Sequence, residues 1–146
     1  MKTFRCQLVT PNSKLLDEEV TYANVPAWDG LFGVMPGRAP LLAQLGLGQL
    51  TVTFPDAAGK GGDRSYVIDG GFVKMSDNTL TVLAEAAFPA EEITETDAKA
   101  EIEDAESRSI PAAAPAPAAA QDRLQQDRRR AALKLRVAQD GRVKGI

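Results

Sequence analysis

The pattern of the chain changes at Pro89, and that change limits what it can fold into more than any other feature. Before it, apolar residues alternate with polar ones. In "FRCQLV", Phe4, Cys6 and Leu8 stand against Arg5, Gln7 and Val9, a period near two that predicts a half-buried strand. Pro11-Asn12-Ser13 marks a turn. "VTYANV" places β-branched and aromatic residues before Pro26, and "QLTVTF" ends at Pro55. "DAAGKGGD" reads as a hairpin connection. "SYVIDGGFVKM" and "TLTVLAEAAF" flank a turn at Ser76–Asn78. Gly70-Gly71, between two apolar runs, marks a bulge or a close backbone approach. Many short strands at this spacing predict a flattened β-sandwich or barrel over residues 1–89.

After Pro89, Ala, Glu and Arg replace the strand formers. Ile93, Ala98, Ile102 and Ala105 recur at helical spacing. Thr94 fits an N-cap, with Asp97 three residues on and Ile93 as the staple. Three prolines in "SIPAAAPAPAAA", residues 109–120, break the helix and make a connector. A second helix begins near Ala118–Ala120, with a seam of Ala120, Leu124, Ala131, Leu135 and Ala138, and Gly141 as its stop. The first helix is acidic and the second basic, so residues 90–146 are expected to form an antiparallel hairpin. Its alanine-rich seam buries little apolar area, and an isolated pair of this kind is marginal. The expectation is a domain that docks and undocks; the alternative is a poorly ordered tail.

Composition excludes much chemistry. The chain contains no histidine and a single cysteine. No Ser-His-Asp triad, Cys-His dyad or His-based metal site can be built, and Cys6 in an alternating strand reads as a buried thiol. No catalytic residue, cofactor or metal is expected. A net charge of −3 gives no general attraction to nucleic acid or to anionic lipid. No apolar run reaches membrane-spanning length, and the first residues do not resemble a signal peptide, which points to the cytosol or the cytosolic side of a membrane. "AGKGGD" follows Lys60 with Gly61 rather than a hydroxyl, so it is not a nucleotide loop.

Two segments remain as candidate surfaces. "DGLFGVMPGRAPLL", residues 29–42, reads as a loop in which Gly30, Gly33 and Gly37 permit turns while Pro36 and Pro40 stiffen the chain. Such a loop is either a structural turn or a rigid docking surface that loses little entropy on binding. "QDRLQQDRRRAALKLR" carries Arg123, Arg128, Arg129, Arg130, Lys134 and Arg136 within four helical turns. It is a solvated face or a contact for acidic protein. RNA is disfavoured because no aromatic residue follows Phe88 to stack on bases.

"DGLFGVMPGRAPLLAQLGLGQLTV", followed by "YVIDGGFVKMSDNTLTVLAEAAF", resembles the epsilon-subunit family of bacterial and chloroplast-type ATP synthases. The likeness covers residues 2–90; the helical half matches in layout more than in letters. The resemblance implies a flattened β-sandwich followed by a two-helix hairpin. It implies a non-catalytic central-stalk (rotor) subunit that binds the gamma subunit and touches the c-ring loops. Such a subunit couples proton-driven rotation to the alpha/beta catalytic head, at the cytoplasmic face of the inner (cell) membrane and without inserting into it. On this reading Asp29, Gly30, Arg38 and Ala39 face the partner. The family often has histidine where Arg38 stands, and arginine there fixes the charge. In bacteria the family's C-terminal helices extend into the head and inhibit ATP hydrolysis, which makes Arg123, Arg128, Arg129, Arg130 and Lys134 the candidate contacts. Some members bind ATP through I/L-D-x-x-R-A; here Thr94 replaces the aspartate and Asp97 the arginine, so no nucleotide site is expected. The competing reading is a stand-alone β-sandwich binding module whose basic tail takes an acidic protein or nucleic acid.

Overall fold

A computed structural model describes residues 2–55, 61–108 and 117–144. The chain forms two compact units, Met1–Pro89 and Ala90–Ile146. Lys60 and most of the proline-rich connector (109–116) lie outside the described residues.

The first unit holds seven strands: β1 (Phe4–Val9), β2 (Lys14–Val20), β3 (Tyr22–Ala27), β4 (Gly30–Val34), β5 (Leu41–Phe54), β6 (Gly62–Ser76) and β7 (Thr79–Pro89). They form one sheet in the order β2-β1-β7-β6-β5-β3-β4. β1 and β7 run parallel; the other pairs are antiparallel. β2 is one edge of this sheet and β3 lies near the other, yet only Thr21 separates them in the chain. One residue spans that gap only if the sheet folds back on itself. Its closure is visible at Thr21, whose backbone N–H donates to the Thr53 carbonyl at 2.8 Å. Arg64 on β6 reaches Glu18 on β2 at 3.6 Å. The result is the flattened sandwich.

β5, β6 and β7 are long, and they bend along one line. Core residues are Leu45 before the bend in β5, then Leu50 and Val52; in β6, Tyr66 and Ile68, then Val73 and Met75. The inward positions thus change from odd to even in β5 and from even to odd in β6. Gly70 and Gly71, both at positive φ (77° and 118°), sit on this line in β6. A Cβ on Gly71 would run into the Leu83 carbonyl oxygen of β7. The strand pairing keeps the same register on both sides, so the glycine pair provides a kink with close approach rather than a bulge.

The core is contained within this unit. Phe4, Cys6 and Leu8 are fully buried with Leu50, Val52, Ile68, Met75, Leu80 and Val82. The alternation in β1 holds as the sequence predicts. β2 and β4 are strands the sequence reading did not separate. β3 continues through Pro26, which falls at the register shift between Asn24 and Ala27. β5 begins at Leu41, well before "QLTVTF", and runs through Gly46 and Gly48.

In the second unit a short 3-10 turn (Ala90–Glu92) precedes α1 (Glu95–Ser107) and α2 (Pro117–Lys144). Thr94 caps α1 as expected, its side chain accepting from the Asp97 N–H at 3.1 Å. Ala98 and Ala105 are buried, as are Leu124 and Ala131. Ala120, Leu135 and Ala138 are only half-buried, whereas Leu133, Lys134 and Val137 are buried. α2 passes Gly141 and continues to Lys144, so Gly141 is not the stop. A lone glycine costs a helix only ~1 kcal/mol and does not by itself end one.

Candidate partner interface

The segment 29–42 is mostly not a loop. Trp28 and Asp29 form the two-residue turn of the β3–β4 hairpin, with Ala27 opposite Gly30. The Trp28 N–H donates to the Gln44 carbonyl at 3.0 Å and ties this tip to β5. After β4, Met35-Pro36-Gly37-Arg38 makes a tight turn closed by Arg38 N–H to Met35 carbonyl at 3.2 Å. Pro36 at the second position and Gly37 at φ 82° in the third fit a type II turn. Gly33 does not serve a turn: it lies within β4, where a Cβ would strike the Tyr22 ring.

Asp29, Gly30, Arg38 and Ala39 are all exposed, but they do not cluster. Asp29 and Gly30 sit at one end of β4, Arg38 and Ala39 beyond the other. The strand from Gly30 to Val34, five residues long and about 15 Å at ~3.3 Å per residue, holds them apart. Trp28, Leu31 and Met35 are exposed along the same stretch.

A second surface was missed. On the outward side of the central strands, Phe72 (β6) stands directly opposite Leu83 (β7), and Leu42 (β5) lies diagonal to Phe72. Their exposures are 54%, 50% and 73%. Contiguous apolar side chains on the open face of a sheet mark a contact site, because water gains by their removal. The signal was present in the sequence: Leu83 lies out of phase with the inward Leu80, Val82 and Ala84, and Leu42 with Leu41, Ala43 and Leu45.

The helical unit is held by charge as well as packing. Lys134, 6% exposed, donates to Glu101 Oε1 at 2.9 Å. Arg108 pairs with Asp127 at 3.2 Å. From Glu101 to Arg108 along the first helix the partner steps back from Lys134 to Asp127 along the second, so the helices are antiparallel. α1 ends at Arg108 without a left-handed cap. Arg128 supplies one instead, its Nε donating to the Ala105 carbonyl at 3.1 Å and an Nη2 to the Arg108 carbonyl at 3.3 Å. Arg130 contacts Asp127 at 3.1 Å. Of the five basic residues singled out in the sequence, Arg128, Arg130 and Lys134 are therefore engaged within the hairpin, while Arg123 and Arg129 are exposed.

Cys6 is buried, and burial pushes its thiol up to about 12, so it is not a nucleophile. Among the described residues no group of three His, Cys, Asp or Glu side chains is arranged to hold a metal ion. No described helix is long and apolar enough to cross a membrane.

A folded-over seven-stranded sheet followed by a charge-laced helix pair defines a β-sandwich protein with a C-terminal helical hairpin. Residues 3–90 match the model of the ATP synthase delta/epsilon chain β-sandwich domain. The chain belongs to that family. It is 40% identical over 92 residues to the ATP synthase epsilon chain of Nitratidesulfovibrio vulgaris strain DP4, covering 63% of this chain and 65% of that one, just under two thirds. With the epsilon chain of Solibacter usitatus it shares 38% over 109 residues, covering 74% and 77%. With that of Rhodopirellula baltica it shares 33% over 123 residues, covering 82% and 88%. The fold is also that of a chain in the Euglena gracilis mitochondrial ATP synthase structure, at a TM-score of 0.70 and 23% identity over 91% of this chain and 82% of that one.

Proposed function

We propose that this chain is a non-catalytic central-stalk subunit of a proton-translocating ATP synthase. Its β unit docks on the gamma subunit and on the c-ring loops and couples their rotation to the alpha/beta head. The subunit is peripheral, at the cytoplasmic face of the membrane. The observation that carries this reading is the family match over residues 3–90, which spans the whole sandwich. The open Leu42–Phe72–Leu83 face gives the sandwich a surface suited to gamma, and the two ends of β4 give it a second, separate contact with the ring.

The hairpin adds a regulatory role: when it opens, Arg123, Arg128, Arg129, Arg130 and Lys134 become available to acidic segments of the head and restrain ATP hydrolysis. Opening first breaks the contacts of Arg128, Arg130 and Lys134 within the hairpin, so inhibition competes with them.

The test is reconstitution. The catalytic head with gamma is mixed with the full chain or with a version ending at Pro89, and association and ATP hydrolysis are measured. Association of both, with slower hydrolysis only for the full chain, supports the proposal. If neither associates, the stalk assignment fails; equal hydrolysis removes the inhibitory role alone. Salt-sensitive retention on RNA with no association would favour the stand-alone binding module.

A further inference from the structure

The turn joining β6 to β7 has two central residues, Asp77 and Asn78, at φ 52° and 59°. A two-residue hairpin with both angles positive is type I′, whose second position favours glycine most strongly. Here that position holds Asn78, and both ends of its carboxamide are engaged. Its carboxamide oxygen accepts the Gly37 N–H at 3.0 Å, and its NH₂ group donates to the Thr3 carbonyl at 2.9 Å. Its backbone carbonyl accepts the Arg5 N–H at 3.1 Å. One residue thus joins the β6–β7 turn, the start of β1 and the Met35–Arg38 turn. Apart from these bonds and its own i→i+3 bond, no hydrogen bond among the described residues ties that turn to the rest of the sandwich, and Gly37, Arg38, Ala39 and Pro40 are all exposed.

We propose that Asn78 is a positioning residue for the docking turn: by holding the Gly37 N–H it sets Arg38 and Ala39 in the pose a partner meets. The proposal rests on the reading of that turn as a contact with the gamma–c-ring complex. Asparagine tolerates the left-handed region better than most residues, and it brings a carboxamide that glycine lacks. The turn forgoes the best hairpin former and gains a clamp.

Asn78→Gly separates the two roles, because glycine suits the hairpin and only the clamp is lost. In the full chain, the variant is expected to melt no lower than the parent. Its Gly37 amide exchanges about fivefold faster, the weight of one exposed hydrogen bond. Its affinity for the detergent-purified gamma–c-ring complex falls by a similar factor, since the turn must then be ordered on binding. Asn78→Asp keeps an acceptor for Gly37 but no donor for Thr3, and it is expected to retain the parent's Gly37 exchange and affinity within about twofold. Unchanged Gly37 exchange in Asn78→Gly overturns the clamp. Faster exchange with parental affinity, in both Asn78→Gly and Arg38→Ala, overturns the turn as a contact surface instead.

Discussion

Lys134 on α2 reaches Glu101 on α1 at 2.9 Å while almost wholly buried. A lysine read in sequence as an outward charge therefore closes the hairpin. Taking Glu101 away costs more than taking one partner from a surface pair, because the lysine has already given up most of its water and would lose the carboxylate that offsets it.

Removing the carboxylate is accordingly worse than removing the ammonium. Glu101→Ala is expected to destabilise the helical unit by ~2 kcal/mol. Lys134→Met, which keeps the aliphatic stem and frees Glu101 to water, costs about 1 kcal/mol or less. Helical circular dichroism followed through urea titration measures both, and equal losses would contradict the asymmetry.

Two glycines at positive φ respond differently to alanine. Gly71→Ala meets the Leu83 carbonyl and cannot be accommodated without moving β7. The expected loss is ~3 kcal/mol or more, seen as a fall in melting temperature or in soluble yield. Gly37 has open space around its missing Cβ, so Gly37→Ala carries only the backbone penalty of about 1 kcal/mol.

Acid acts through Asp17. Arg5 lies 2.7 Å away, and this hydrogen bond lowers the Asp17 carboxyl from 3.8 to about 2. A carboxyl held below its unfolded value stabilises the fold above that value and loses the contribution as pH falls through the folded one. Asp17→Asn is therefore less stable than the parent near neutrality, and the gap closes between about pH 4 and pH 2. Urea midpoints across that range measure it; a gap that widens toward acid would contradict the assignment.

Much of the sandwich was legible because a strand with one buried face writes its burial directly into period two. Phe4, Cys6 and Leu8 are the clearest case, and the Ser76–Asn78 turn follows from turn chemistry alone. β4 was not legible: its glycines mimic a loop, although Gly33 is there for the Tyr22 ring. β2 and the early part of β5 were missed for related reasons, since neither alternates cleanly and glycine looks like a break. The outward Phe72–Leu83 pair was readable as apolar residues in the wrong phase, but only once the register was known. In α2, Lys134 shares the helical seam with Ala131, three residues away; its charge hid that position.

Thr94 and Asp97 bear on nucleotide binding. Thr94 is used as the α1 cap, and Asp97 puts a negative charge in the first turn where the family motif has arginine. We expect no ATP binding at micromolar concentration by equilibrium dialysis, and measurable saturable binding would contradict this. Asp97→Arg alone is not expected to create it, because Thr94 still stands in place of the aspartate.

Association with the catalytic head and gamma is the most direct measurement. The full chain and its Phe72→Asp variant are each titrated into that complex, with the melting temperature of each recorded. The account predicts stoichiometric binding by the parent and a loss of at least about a hundredfold in affinity for the variant, whose fold is unchanged because Phe72 is outside the core. Equal binding by the two would contradict docking through this face, and no binding by either would contradict the stalk assignment itself.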